Sequence, residues 1–190
     1  MLVDHLPRWA LRALSHPRRG FGPAMVGERL VFGARRPGYP LSRVPPAFVD
    51  EWLAFMCGRG IRRVVCLLPE GQLAYYPGGL LGRYRAYFGA GRVCWAPTED
   101  FTLVDEHALI NMVLPFLFGA ERQREPVVIH CSGGIGRTGH VAAAWLVARH
   151  GHSNRQAIET VRRMGRNARE ARDPRLDVLL DRCRQIFVRA

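Results

Sequence analysis

The chain has 190 residues, 48% of them hydrophobic, which is enough for one domain with a real core and excludes a disordered segment. It carries 28 basic residues, all arginine, against 16 acidic ones, so its formal charge of +12 favours anionic substrates and partners, with nucleic acid and acidic lipid both open. No apolar run reaches the roughly 18 residues of a membrane span, and Asp4, His5 and Arg8 interrupt any secretory signal, so the expectation is a cytoplasmic chain.

Residues 1–25 read as an N-terminal extension. Leu2, Leu6, Trp9, Ala13 and Leu14 recur at helical spacing among Arg8, Arg12, Arg18 and Arg19, a stripe that suits packing on the domain or, failing that, a membrane surface. Pro17 and the cluster Gly20-Phe21-Gly22-Pro23 mark a break, and residues 26–190 form the expected catalytic domain. Within it, Met25 to Gly33 reads as a first strand or hairpin, and Phe48 to Arg59 as a helix ended by Gly60. Ile61 to Leu68 reads as a buried strand and Leu80 to Phe88 as a helix with Tyr84, Tyr87 and Phe88 for packing. Val93 to Trp95 and Val127 to Cys131 are further strands, joined by a helix over 105–122. Helices follow over 138–150, over 154–163 with Asn154 as cap, and from Pro174 to the end. Short Val/Ile runs alternating with helices predict a single α/β domain: a central mixed, mostly parallel sheet flanked by helices.

The chemistry concentrates where the strand at Val127 ends. Residues 130–139 read His-Cys-Ser-Gly-Gly-Ile-Gly-Arg-Thr-Gly and lead straight into a helix. A strand, a loop of small residues and a helix start make an anion cradle, because backbone N–H groups converge there and the helix N-terminus adds about half a positive charge. Gly133, Gly134 and Gly136 let the backbone approach an anion, and the same surroundings favour the thiolate form of a cysteine at the base. Arg137 supplies a planar fork for two phosphate oxygens at once.

The decapeptide resembles the signature loop of the cysteine-dependent protein tyrosine phosphatase superfamily, and the short chain is similar to its compact, dual-specificity-like branch. The resemblance implies a tyrosine-phosphatase-like fold, Cys131 as nucleophile, Arg137 as phosphate ligand, and Ser132, Gly133, Gly134, Ile135 and Gly136 as the rest of the cradle. His130 then tunes the cysteine through nearby backbone, and Thr138 donates to the sulfur when it leaves. The resemblance also implies an aspartate general acid on an upstream loop. Asp100, in Asp-Phe-Thr after Pro97, fits that place; Glu99 is the neighbouring alternative, and Asp105 a third that reads better as a helix cap. A loop after the next helices borders the site in relatives, which makes Arg166 and Asn167 candidates for orienting the attacking water. His140 replaces a small hydroxyl residue of relatives and reads as a helix-surface residue.

No cofactor is implied, and the spacing of His130, Cys131, His140, His150 and His152 fits no metal site. The five cysteines, at 57, 66, 94, 131 and 183, read as reduced thiols, with Cys66 and Cys94 buried. The implied reaction is hydrolysis of phosphotyrosine in a phosphorylated protein, extending to phosphoserine or phosphothreonine, through a cysteinyl-phosphate intermediate. The alternative is a non-protein polyanion: an inositol phosphate, a phosphoinositide or an RNA 5′ end. The loop's variable positions, Ser132, Gly133 and Ile135, lack the lysines typical of the lipid enzymes, and Gly136 stands where RNA triphosphatase relatives usually have asparagine. A third possibility is a phosphate-binding module without catalysis.

Overall fold

A computed structural model describes Pro7, His16 and residues 20–188; the apolar stripe of the N-terminal extension lies outside them. Five strands lie in the order β1-β2-β5-β3-β4, where β1 is Gly22–Pro23, β2 Val31–Arg35, β3 Arg63–Cys66, β4 Val93–Trp95 and β5 Val127–Cys131. Only β1 runs antiparallel, against β2; every other pair is parallel. The sheet is therefore mixed and mostly parallel, as its Val/Ile runs imply. Of the strand or hairpin expected at 25–33, the structure has the hairpin, with its strands at Gly22–Pro23 and Val31–Arg35: the polar turn around Gly27 and Glu28 separates them, and Ala24 N–H bonds back to the Val31 carbonyl at 2.9 Å.

The helices are α1 (Pro46–Gly58), α2 (Glu70–Leu73), α3 (Leu80–Phe88), α4 (Glu106–Ala108), α5 (Leu114–Gln123), α6 (Gly136–His150), α7 (Asn154–Arg163) and α8 (Arg175–Phe187). A π turn over Leu109–Val113 joins α4 to α5, and Pro115 sits in the first turn of α5, where no backbone donor is lost. The cap of α7 is not Asn154 but Ser153, which forms a reciprocal capping box with Gln156; Asn154 reaches across to Asp177 and Asp181 on α8 instead.

The central strand β5 divides the core by the two-residue alternation of a strand. Val128 faces the layer of α1 and α3, with Trp52, Met56 and Tyr84, so Tyr84 and Phe88 pack as core. Val127, Ile129 and Cys131 face α5, α6 and α8, with Leu117, Trp145 and Leu180. Helix α6 is buried from Gly136 to Ala148, so the segment following the signature loop lies in the middle of the fold. The order also sets the site. The chain crosses from β2 over β5 to β3, then returns from β4 to β5, and that reversal opens a crevice at the carboxyl end of β5, where Cys131 stands.

Candidate active site

Cys131 closes β5 in register with Arg35 and is 3% exposed. The loop behind it is fixed through its backbone. Ser132 accepts from Arg36 N–H at 3.2 Å, and the Ile135 carbonyl accepts from Gly139 and Asn167 N–H at 2.9 and 3.3 Å. Gly134 turns at φ +72°, and a Cβ there would lie 2.4 Å from the Ala34 carbonyl oxygen, so only glycine fits. Among the described residues, the N–H groups of Ser132, Gly133, Gly134 and Ile135 donate to no backbone carbonyl. They remain available at the start of α6.

Arg137, on the first turn of α6, is 2% exposed. Its Nη1 donates to the Thr98 carbonyl at 2.7 Å and its Nη2 lies 3.0 Å from Asp100 Oδ1. Nε is buried without a hydrogen-bond partner, and Nη2 meets Asp100 as an ion pair without hydrogen-bond geometry. One side of the guanidinium is thus fixed to the acid-bearing loop while the other is open to an oxyanion. The Thr138 hydroxyl is likewise buried and unpartnered. The structure therefore brings Asp100 to Arg137, at the start of the helix that the loop from Cys131 leads into and that carries Thr138. Glu99 diverges: it is exposed and borders the groove with Val178 and Leu179 on the far side of its loop. Asp105 caps α4, accepting from Ala108 N–H at 3.0 Å.

His130 faces the opposite core layer. Its Nε2 lies 3.1 Å from the Tyr84 hydroxyl, and its Nδ1 lies 3.4 Å from the Cys131 carbonyl. Burial pushes the imidazole down to about 3, so it is neutral at any working pH. The phenol of Tyr84 is held protonated by burial and donates to Nε2, leaving the Nδ1 proton for the Cys131 carbonyl.

Two further guanidiniums bracket the loop. Arg36 donates from Nε to Ser132 Oγ at 3.3 Å and from Nη2 to the Leu41 carbonyl at 2.7 Å, among the rings of Tyr39, Tyr75 and Tyr76. Arg166 bonds the carbonyls of Gly20, Gly22, Pro23, Gly33 and Met164. This corrects its reading as a water-orienting residue: its donors brace β1 and β2. Asn167 is exposed, with its side chain bonded to Arg169 N–H, and supports the cradle only through its own N–H. Among the described residues neither Arg36 nor Arg166 meets a carboxylate, so buried positive charge surrounds a loop built for an anion.

Sequence reasoning missed two residues. Glu170 packs over Gly136, where a Cβ would stand 1.8 Å from its Oε2, and its carboxyl is raised from the ordinary value by burial and by nearby Asp100. An acid 39 positions from the thiol in an arginine-rich loop carries no local signal. His140 is not a helix-surface residue: it is 1% exposed, and its Nδ1 accepts from Val104 N–H at 3.1 Å. Only its place one turn beyond Arg137 could have marked it. The remaining cysteines are free, and burial pushes Cys66 and Cys183 up to about 12 and Cys94 to about 11. Among the described residues no group of three or more His, Cys, Asp or Glu side chains suits a metal ion, and no helix is long and apolar enough to cross a membrane.

Residues 89–177 match the family described as dual specificity phosphatase, catalytic domain. The chain is similar to the solved structure of Tk-PTP in its active form, at 26% identity over 83% of this chain and 92% of that one, with a TM-score of 0.60. TpbA of P. aeruginosa is 22% identical over 85% of this chain and 88% of its own, with a TM-score of 0.54. PTPMT1 in complex with PI(5)P is 12% identical over 89% and 97%, with a TM-score of 0.66. At these last two identities the likeness is one of fold. No curated protein matches the chain.

Proposed function

From the dual specificity phosphatase catalytic-domain match over residues 89–177, we propose that this chain is a phosphatase of the cysteine-dependent tyrosine phosphatase superfamily that hydrolyses phosphotyrosine in proteins, with phosphoserine and phosphothreonine as slower substrates. One observation carries the preference for an aryl ester. Phe101, 67% exposed, lines a pocket with Arg137 from the acid-bearing loop, and Ile135, 41% exposed, is a second large apolar side chain left in solvent, in the signature loop itself. An aromatic leaving group packed on the Phe101 ring gains about 0.5–1.5 kcal/mol beyond its buried area.

In this reading the phosphate displaces Asp100 from Arg137 and takes the Nε side of the guanidinium together with the free N–H groups of the loop. The Cys131 thiolate attacks phosphorus; an S–P bond forms, the ester P–O bond breaks, and protonated Asp100 gives its proton to the leaving phenolate. Water then attacks the cysteinyl phosphate, the S–P bond breaks, and Asp100, now a carboxylate, takes the water's proton. The Thr138 hydroxyl donates to the departing sulfur. Glu170, whose carboxyl is raised above its ordinary value by burial and by nearby Asp100, lines the pocket beside the same arginine. Reduced thiols throughout suit a cytoplasmic site of action.

The second reading, a phosphoinositide substrate, has the net charge of +12 in its favour, and a fold neighbour has been captured with such a lipid. The signature loop argues against it, since Ser132, Gly133 and Ile135 present no cation to further phosphates. Purified protein under reducing conditions is expected to hydrolyse p-nitrophenyl phosphate without added metal. Cys131→Ser abolishes turnover while still binding inorganic phosphate. Across phosphotyrosine, phosphoserine and phosphothreonine peptides and PI(5)P vesicles, the tyrosine peptide is expected to give the highest kcat/KM. A higher value for the vesicles overturns the protein-substrate reading.

A further inference from the structure

The acid-bearing loop does little to hold itself. Thr98 Oγ1 donates to the Ala96 carbonyl at 3.0 Å, and Thr102 donates to the Glu99 carbonyl through N–H at 3.3 Å and Oγ1 at 2.9 Å. Both turns are short. Phe101 between them takes φ +58°, a left-handed conformation that is unfavourable for a bulky aromatic.

Both ends are fixed by α6. Arg137 Nη1 grips the entry at the Thr98 carbonyl, 2.7 Å away, and His140 Nδ1 grips the exit at Val104 N–H, 3.1 Å away. Residues three apart share a helix face, so one turn of α6 clamps the segment from Thr98 to Val104 with Asp100 inside it. The second nitrogen of His140, Nε2, is buried without a partner. A leucine would fill the space without leaving a buried polar atom unpaired. Burial also pushes the imidazole down to about 4, so across the neutral range Nδ1 keeps the lone pair that accepts Val104 N–H.

We propose that His140 is a positioning residue that acts through Asp100: by fixing Val104 to the helix of Arg137, it keeps the acid within reach of the leaving-group oxygen. The proposal rests on the reading of Asp100 as the general acid. Its test compares two esters, phosphotyrosine, whose leaving group needs a proton, and 2,4-dinitrophenyl phosphate, whose leaving group does not. Turnover is measured for the unaltered protein, Asp100→Asn, His140→Ala, His140→Asn and the double variant Asp100→Asn/His140→Ala.

His140→Ala is expected to lower kcat on phosphotyrosine by about 10–100-fold and on the dinitrophenyl ester by less than about threefold. In the Asp100→Asn background it should add nothing, since the group it positions is already gone. His140→Asn keeps an acceptor oxygen and should recover most of the loss. Equal slowing of both esters, or undiminished slowing in the Asp100→Asn background, would make His140 a general structural residue and overturn the proposal; so would no slowing at all. Should His140→Ala not fold, His140→Asn and the shorter His140→Ser carry the comparison, the serine losing phosphotyrosine turnover selectively and the asparagine keeping it. If Asp100→Asn itself leaves phosphotyrosine turnover unchanged, the acid assignment fails, and that result is visible whatever His140 does.

Discussion

The signature loop, from Cys131 to Arg137, is held by main chain: Arg36 N–H on the Ser132 carbonyl, Gly139 and Asn167 N–H on the Ile135 carbonyl, and Gly134 pressed against the Ala34 carbonyl. The acid-bearing loop above it is held at its ends by two side chains, Arg137 and His140, and its working carboxylate is 45% exposed. A cradle for a phosphate gains from rigidity, because preorganised N–H groups need no rearrangement as charge develops. A loop that must let substrate in and product out gains from anchors that can release and rebind. The same helix serves both, and Arg137 belongs to each.

That contrast gives variants of graded size. Asp100→Asn should cost about 10²–10⁴ in kcat on phosphotyrosine, Glu170→Gln about tenfold, and Glu99→Gln less than about twofold, all read from steady-state rates. A larger loss at Glu99 than at Asp100 would reverse the assignment, although Glu99 faces the far groove. In the rigid loop, Gly134→Ala forces a side chain to φ +72° and to within 2.4 Å of the Ala34 oxygen. It should lower stability by about 2–4 kcal/mol in urea titrations, with activity falling at temperatures where the protein is still folded. A neutral outcome would show that the cradle yields more readily than its backbone contacts imply.

A further effect is in acid. Native His130 and His140 resist protonation down to about 3 and about 4, while an unfolded histidine takes its proton near 6.5. Between those limits the unfolded chain binds more protons, so stability rises with pH and falls on acidification. The loss begins as pH drops below about 6.5 and amounts to about 2 kcal/mol per histidine between pH 7 and pH 5. In His140→Asn about half of that loss should vanish from the pH dependence of the urea midpoint, which separates the acid-loop anchor from the histidine behind the thiol.

What was legible in the sequence follows the same division. The strand at Val127, the cradle and the helix after it are local, written in consecutive residues, and they stand where the pattern put them. Asp100 was legible through the family resemblance, which implies an aspartate on this loop, and its carboxylate lies 3.0 Å from Arg137. Arg166, His140 and Glu170 act on residues 30 or more positions away, on Gly33, Val104 and Gly136, and no periodicity reports such contacts. The cap of α7 failed for a smaller reason. Ser153 and Asn154 are both good caps, and the choice fell to Gln156, whose side chain closes the box only on Ser153.

The antiparallel run of β1 decides where the two ends of the described chain emerge. Gly22 pairs with Gly33 and Pro23 with Phe32, so stepping back from Pro23 leads toward Arg35, against whose side chain Gly20 packs. The last helix runs the other way, from Arg175 to Phe187, which stacks on Phe118 beside Trp145 in the far half of α6. Gly20 therefore lies on the side of the catalytic mouth, and Phe187 at the back of the molecule. For purification handles and fluorescent fusions, the end that follows Phe187 is the attachment point away from the mouth.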